Sequence, residues 1–275
     1  MNWLTYLLVG APASVALIYF GLPRSLHALG LHPSYAIPAL DLRGKRALII
    51  TTSHDTLGKT GKRTGVFGSE MSVPYYVFLD ANMEVDIASI QGGEIPVEPY
   101  SMGWPLATPE DRRFKADPIA MSKLKDSIPV ARINPDDYDV FFMAGGWGAA
   151  YDLAQSDTLA ELITQANANN KILSSVCHGA LGLVSAKAED GSPLIAGRRV
   201  TGVTDRQIKQ LGIEVTPKHP ETEMRKVGAN FEANTSTIEM FATHVVVDGN
   251  IVTGQNQNSG YETASRVMEI LAKHL

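Results

Sequence analysis

KILSSVCHGALGLVSAK, residues 171–187, is the stretch whose reading decides the fold. Ile172, Leu173 and Val176 form a short apolar run of strand length that ends on Cys177, His178-Gly179 follow at once, and residues 178–187 carry apolar side chains at three- and four-residue spacing. The expected structure is strand, sharp turn, helix. Such a turn exposes one nucleophilic atom, by the same logic as the elbow that presents a serine in hydrolases. It places the sulfur at the amino end of a helix, where the dipole and free amides favour the thiolate. The plainer alternative is a buried structural cysteine beside a satisfied histidine.

Working outward, further strand-like apolar runs occur at 46–52, 85–89, 139–145 and 244–254, the last bent at Asp248-Gly249, a hairpin signal. Helical periodicity marks 67–81, 156–169, 204–211 and 259–274. Buried strands alternating with helices predict an α/β fold, a mostly parallel sheet covered on both faces, with functional groups at the carboxyl ends of the strands. Ala144-Gly145-Gly146-Trp147-Gly148 ends the strand before the elbow, where its backbone amides can serve an oxyanion; alone, such a cluster reads equally as a tight turn.

The chain has 275 residues, a formal net charge of -5 and one cysteine. No long Lys/Arg run is present, so no nucleic-acid partner is expected. One cysteine forbids an intrachain disulfide and a paired-cysteine zinc site, and neither metal nor cofactor is expected.

No Asp, Glu, Lys or Arg precedes Arg24. As a helix, the apolar stretch 3–23 would span about 31 Å, the thickness of a bilayer's hydrocarbon core. It reads as a single membrane anchor, with Trp3, Tyr6 and Tyr19 at the interfaces and the domain held cytoplasmic by Arg24, Arg43, Lys45 and Arg46. The alternatives are a secretory signal peptide, which would carry a basic start and a shorter apolar run, and a tail folded onto the domain. The expected organisation is thus 1–23 anchor, 24–44 proline-containing connector and 45–275 α/β domain.

Five segments, TGVFGSEMSVPYYVFLDANMEVDIASIQGG (64–93), DDYDVFFMAGGWG (136–148), SSVCHGALGLV (174–184), GSPLIAGRRVTGVTD (191–205) and VVVDGNIVTGQNQNSG (245–260), together resemble the ThiJ/PfpI superfamily. Within it the chain is most similar to the larger chaperone-glyoxalases. The resemblance covers nearly all of 45–275. It implies a flavodoxin-like, class I glutamine-amidotransferase-like fold, a reactive thiol at Cys177 with His178 beside it, a site acid at Glu70, and often a homodimer. Glu70 also has a physical role of its own: a carboxyl on an otherwise apolar helix, aimed at the strand ends, would be held protonated by desolvation. It reads otherwise as a first-turn glutamate stabilising a helix start.

The chain departs from the glyoxalase pattern at three places: Trp147 and Val73 stand where histidines are common, and Ile208 stands where the triad acid would fall. Asp205 is the nearest substitute acid, or else a helix cap. His219-Pro220-Glu221 imitates an amidotransferase triad at too short a separation from Cys177, and Asn256, Asn258 and Ser259 border the pocket or cap the last helix. The resemblance implies a cofactor-independent thiol enzyme taking small reactive carbonyls from 2-oxoaldehyde to 2-hydroxy acid. The alternatives are a non-catalytic redox-sensing or stress/chaperone protein in which Cys177 is the oxidisable group, and a hydrolase or hydratase of another electrophile such as an amide, nitrile or isonitrile.

Overall fold

Six of the seven strands in the main sheet run parallel, as short apolar runs alternating with helices require. The computed structural model describes residues 11–235 and 241–273. In chain order the elements are α1 (Ala11–Ala28), β1 (Arg46–Thr51), α2 (Gly68–Asp80), β2 (Glu84–Ser89), α3 (Pro109–Ala116), α4 (Pro118–Lys125), β3 (Ile128–Pro129), β4 (Val140–Met143), α5 (Ala149–Asp152) and α6 (Asp157–Ala168). Then come β5 (Ile172–Val176), β6 (Arg199–Val200), α7 (Asp205–Leu211), α8 (Pro220–Lys226), β7 (Asn230–Phe231), β8 (Val245–Asp248), β9 (Ile251–Gly254) and α9 (Gly260–Ala272). The sheet order is β3-β2-β1-β4-β5-β9-β8, with β8 alone antiparallel, folded back on β9 through Gly249 at φ +57°. β6 and β7 form a separate two-stranded ribbon.

Successive strand residues feed two apolar layers. Ile49, Ile87 and Phe142 pack beneath α2 and α9 with Phe78 and Met268, while Leu48, Phe141 and Leu173 pack against α6 with Leu159 and Ile163. Because both faces are covered, β4 is apolar throughout and β1 nearly so, while the polar residues of β5, Ser174 and Ser175, are fully buried. The carboxyl ends of β1, β4 and β5 come together at one edge of these layers, which is where the site forms.

After the elbow the chain winds as a 3-10 helix, Cys177–Leu183, rather than the α-helix expected over 178–187. Three residues per turn put Gly179 and Gly182 on one face. A Cβ at Gly179 would lie 2.1 Å from Met143 O, and one at Gly182 would lie 2.5 Å from Met143 Sδ, so the tight winding seats the turn directly on the end of β4. Helices α3 and α4 were not foreseen: their periodicity is too short to register. Their capping signals are nonetheless present, with Thr108 and Asp117 accepting from the first-turn amides ahead of Pro109 and Pro118.

The membrane anchor expected over 3–23 is corrected. Among the described residues no helix is long and apolar enough to cross a membrane; residues 3–10 lie outside them. The helix that holds the rest of the stretch, α1, continues through Pro23 and Arg24 to Ala28 and lies on the domain. Tyr19 stacks on Trp104 with ring centroids 5.7 Å apart, and Trp104 Nε1 donates to Tyr19 O at 2.9 Å. Val15, Leu17, Ile18 and Phe20 remain exposed on this helix, and near its end Leu26 joins the lining of a pocket in the domain.

Candidate active site

Cys177 is the last stop of β5 before the chain reverses, and it takes the left-handed conformation, φ +58°. A side chain with a Cβ adopts that conformation at a cost, and such strain concentrates at functional positions. The thiol is 7% exposed, at the floor of a pocket. His178 Nδ1 lies 3.6 Å from Sγ, and the backbone amides of Gly146 and His178 point at the sulfur. The Gly146 amide comes from the glycine cluster, and the His178 amide comes from the elbow itself. Gly146 has φ +97°, and a Cβ there would sit 2.3 Å from Gly65 O and 2.4 Å from Phe67 N, so only glycine lets this strand end pack against the loop that leads into α2.

Glu70 enters from the first turn of α2 and is buried. Burial pushes its carboxyl up to about 8, against hydrogen bonding from Cys177 and from the amides of Gly145 and Gly146. The acid is therefore mostly protonated at neutral pH, as the sequence suggested. The thiol in turn is pushed well up, first by burial and then by the Glu70 carboxyl. The helix-terminus amides work the other way but do not win, so the resting pair is a neutral thiol beside a neutral acid. His178 is fully buried and its imidazole is pushed down to about 3, by desolvation and then by the nearby His219. It is neutral, and its Nε2 has no hydrogen-bond partner.

Asp205 does not join this group. Its Oδ2 accepts from Thr222 Oγ1 at 2.6 Å, and its Oδ1 faces His219 Nδ1 at 3.9 Å. Nor does it cap α7; Thr204 does, accepting from Gln207 N. The histidine of the amidotransferase-like motif thus faces Asp205 while Glu221 accepts from Asp205 N and Arg225, and neither forms a bond to Cys177. Ile208 and Val73 are core residues outside the pocket lining, so the substitution at Val73 does not alter the site wall. Trp147 does line the pocket.

One acidic residue was missed. Glu98 is buried in the pocket wall, accepting from Thr64 Oγ1, from Trp147 N at 3.1 Å and from Gly65 N at 3.3 Å. It ties together the two loops that carry the oxyanion amides and the start of α2. Desolvation pushes its carboxyl up as well. Its loop has no periodicity, and proximity to Trp147 arises only through the fold. Asn256 borders the pocket, while Asn258 holds the segment that follows α1 and Ser259 Oγ accepts from His244 N.

The model of the DJ-1/PfpI family matches residues 63–270, which include the Glu70 turn, the glycine cluster and the elbow. The chain belongs to the DJ-1/PfpI family. Among DJ-1/PfpI relatives, a glutathione-independent glyoxalase of Saccharomyces cerevisiae is 30% identical over 237 residues, covering 82% of this chain and 98% of that one. Glyoxalase 3 of Candida albicans is 29% identical over 82% of this chain and 97% of its own length. In three dimensions the crystal structure of glyoxalase III from Candida albicans superposes with a TM-score of 0.75 at 27% identity, over 82% of this chain and 96% of that chain. The Rapid Encystment Protein of Francisella tularensis does so with a TM-score of 0.77 at 30% identity, over 82% and 99%.

Proposed function

We propose that this DJ-1/PfpI protein is a glutathione-independent glyoxalase that converts a 2-oxoaldehyde and water to a 2-hydroxy acid through Cys177. The observation that carries the reading is the pairing of a strained, pocket-floor thiol with a protonated Glu70 beneath two converging amides. As substrate enters, the thiol proton passes to solvent, leaving a thiolate held by a neutral acid; this is the proton by which the carboxylate product differs from the aldehyde and water. The sulfur adds to the aldehyde carbon C1, forming the C–S bond as the carbonyl pair moves onto oxygen, where the Gly146 and His178 amides hold it. Glu70 supplies the proton that completes a hemithioacetal.

Glu70, now ionised, takes the proton from C1 and returns it to C2, while the hydroxyl proton passes from the C1 oxygen to the C2 oxygen. The product of that shift is a thioester of the 2-hydroxy acid, and no external oxidant or reductant is consumed. Water attacks the thioester carbon as neutral His178 takes its proton and passes it to Glu70, the C–S bond breaks, and the leaving thiolate takes the proton of the new carboxylic acid, so that the neutral thiol and the neutral acid are both restored and the product leaves as a carboxylate. Redox sensing at Cys177 has weaker support, because a buried thiol whose pKa is pushed up holds little of the oxidisable thiolate.

The test is lactate formation from methylglyoxal by wild type and Cys177→Ala. Removal of the nucleophile is expected to lower kcat/KM by at least about 1,000-fold with unchanged circular dichroism. Lactate formation by a folded Cys177→Ala protein at more than a tenth of the wild-type rate overturns the mechanism.

A further inference from the structure

The pocket above Cys177 is much larger than a three-carbon substrate needs. Its volume is about 360 Å³. A cavity of about 150 Å³ already holds benzene, and methylglyoxal has fewer heavy atoms than benzene. The reacting groups Glu70, Cys177, His178 and Gly146 meet at the floor, and although Glu98, Gln207, Asn256 and Gln257 add polar atoms to the lining, much of the wall is apolar, with Leu26, Leu31, Leu106, Trp147, Leu211 and Phe241. No Lys or Arg lines the pocket among the described residues, while two carboxyls do. An anionic substituent would therefore meet no counter-charge and two acids, whereas a neutral apolar one would meet a matching wall.

Two of those wall residues, Leu26 and Leu31, precede the region matched by the family, 63–270. They sit on a strap, residues 26–32, that is locked in place rather than draped. Buried Asn258 grips it from both sides: Asn258 Nδ2 donates to Gly30 O at 2.9 Å and Asn258 Oδ1 accepts from His32 N at 3.0 Å. The chain turns between these contacts through positive φ at Gly30 (+104°) and His32 (+48°), which rotates Leu31 inward until it is 7% exposed. His32 Nε2 then donates to Leu106 O at 2.9 Å, so the strap is tied to a second wall residue of the same pocket.

We propose that the strap makes this enzyme selective for neutral 2-oxoaldehydes that carry a large apolar substituent on the ketone carbon, of pentyl or phenyl size, over methylglyoxal. The inference rests on the glyoxalase reading for its chemistry and on the strap and pocket walls for its selectivity. The reacting dicarbonyl end occupies the polar floor, and the substituent extends toward Leu26 and Leu31. Each buried methylene contributes about fourfold in transition-state binding, which accumulates to about 100-fold between methyl and pentyl when burial is incomplete.

The experiment measures kcat/KM of the full chain for 2-oxoaldehydes bearing methyl, propyl, pentyl and phenyl groups, and in parallel the affinity for the unreactive ketones butan-2-one, hexan-2-one and octan-2-one by calorimetry. Expected are a rise of about 100-fold in kcat/KM from methyl to pentyl and tighter ketone binding at each step. Turnover that is flat or falls with chain length overturns this inference and leaves the glyoxalase reading standing. No turnover of any member, with ketone affinity rising along the series, overturns the glyoxalase reading and supports the apolar pocket. In Leu26→Asn/Leu31→Asn the pentyl-to-methyl ratio of kcat/KM is expected to fall at least tenfold. Asn258→Ala, which removes the bonds to Gly30 O and His32 N and a longer one to Phe241 O while leaving every pocket-lining side chain in place, is expected to lower the ratio in the same direction. An unchanged ratio in both variants overturns the role of the strap.

Discussion

Replacing Glu70 by Gln is expected to stabilise the protein at neutral pH while crippling it as a catalyst, and the size of the effect follows from where the carboxyl sits. Burial raises the folded value to about 8 from an ordinary 4.5. A group whose folded pKa is raised contributes stability that is fully present below the unfolded value and is withdrawn as pH climbs through the folded one. At pH 7 the unfolded carboxyl is ionised and the folded one is not, so wild type has lost about 3 kcal/mol relative to its stability at pH 4, at about 1.36 kcal/mol per pH unit. The loss grows to about 5 kcal/mol once pH passes 8. Glutamine never ionises and keeps the shape, so Glu70→Gln should match wild type near pH 4 and exceed it by about 3 kcal/mol at pH 7. For a chain of this length that corresponds to about 6 °C in Tm. Urea unfolding of both proteins at intervals from pH 4 to pH 8 reads the gap directly. A gap that does not change with pH, or a Gln variant less stable at pH 7, refutes the claim that desolvation sets this carboxyl's protonation. The accompanying fall in methylglyoxal turnover would make this a site where stability is given up for function.

Two other outcomes separate structural from chemical roles. Asp205→Asn should leave kcat/KM within about threefold of wild type, because the carboxylate faces His219 and Thr222 rather than His178; a loss beyond 100-fold in steady-state turnover would place it in the proton path after all. His32 is pushed down to about 4, chiefly by burial, so its contribution is present above its ordinary 6.5 and lost as pH falls toward 4. The stability gap between wild type and His32→Gln, from urea curves, should therefore close by about 3 kcal/mol between pH 7 and pH 4. A constant gap would mean that the strap does not hold the imidazole in a dry setting.

Much of the site could be read one residue at a time. The elbow at Cys177 is visible because a strand, a nucleophile and paired small residues are adjacent in the chain, and Glu70 is conspicuous as a lone carboxyl on an apolar helix. Five of the six parallel strands were legible for the same reason, each containing a short apolar run, whereas the two-residue β3 is too short to carry a pattern. What failed were inferences that needed to know which segment touches which. Ile208 and Val73 looked like site positions by alignment to a pattern, but both point into the core. Glu98 was passed over although it braces the loops of Gly65 and Trp147, because those loops meet only in the folded molecule.

The first 23 residues show the boundary most clearly. Their lack of charge is a property of the chain, legible without any structure. Hydropathy measures transfer out of water and not the destination, so a bilayer and a pocket wall read alike. In the described structure the helix that holds residues 11–23 runs on past them to the pocket, where Leu26 and then Leu31 join the lining that includes Cys177. Local chemistry thus determined the nucleophile, its acid and the sheet beneath them. Only the tertiary structure decided the neutral state of the thiol pair, the separation of Asp205 from His178, and the shape of the space above Cys177, because burial and contact between distant residues arise from packing.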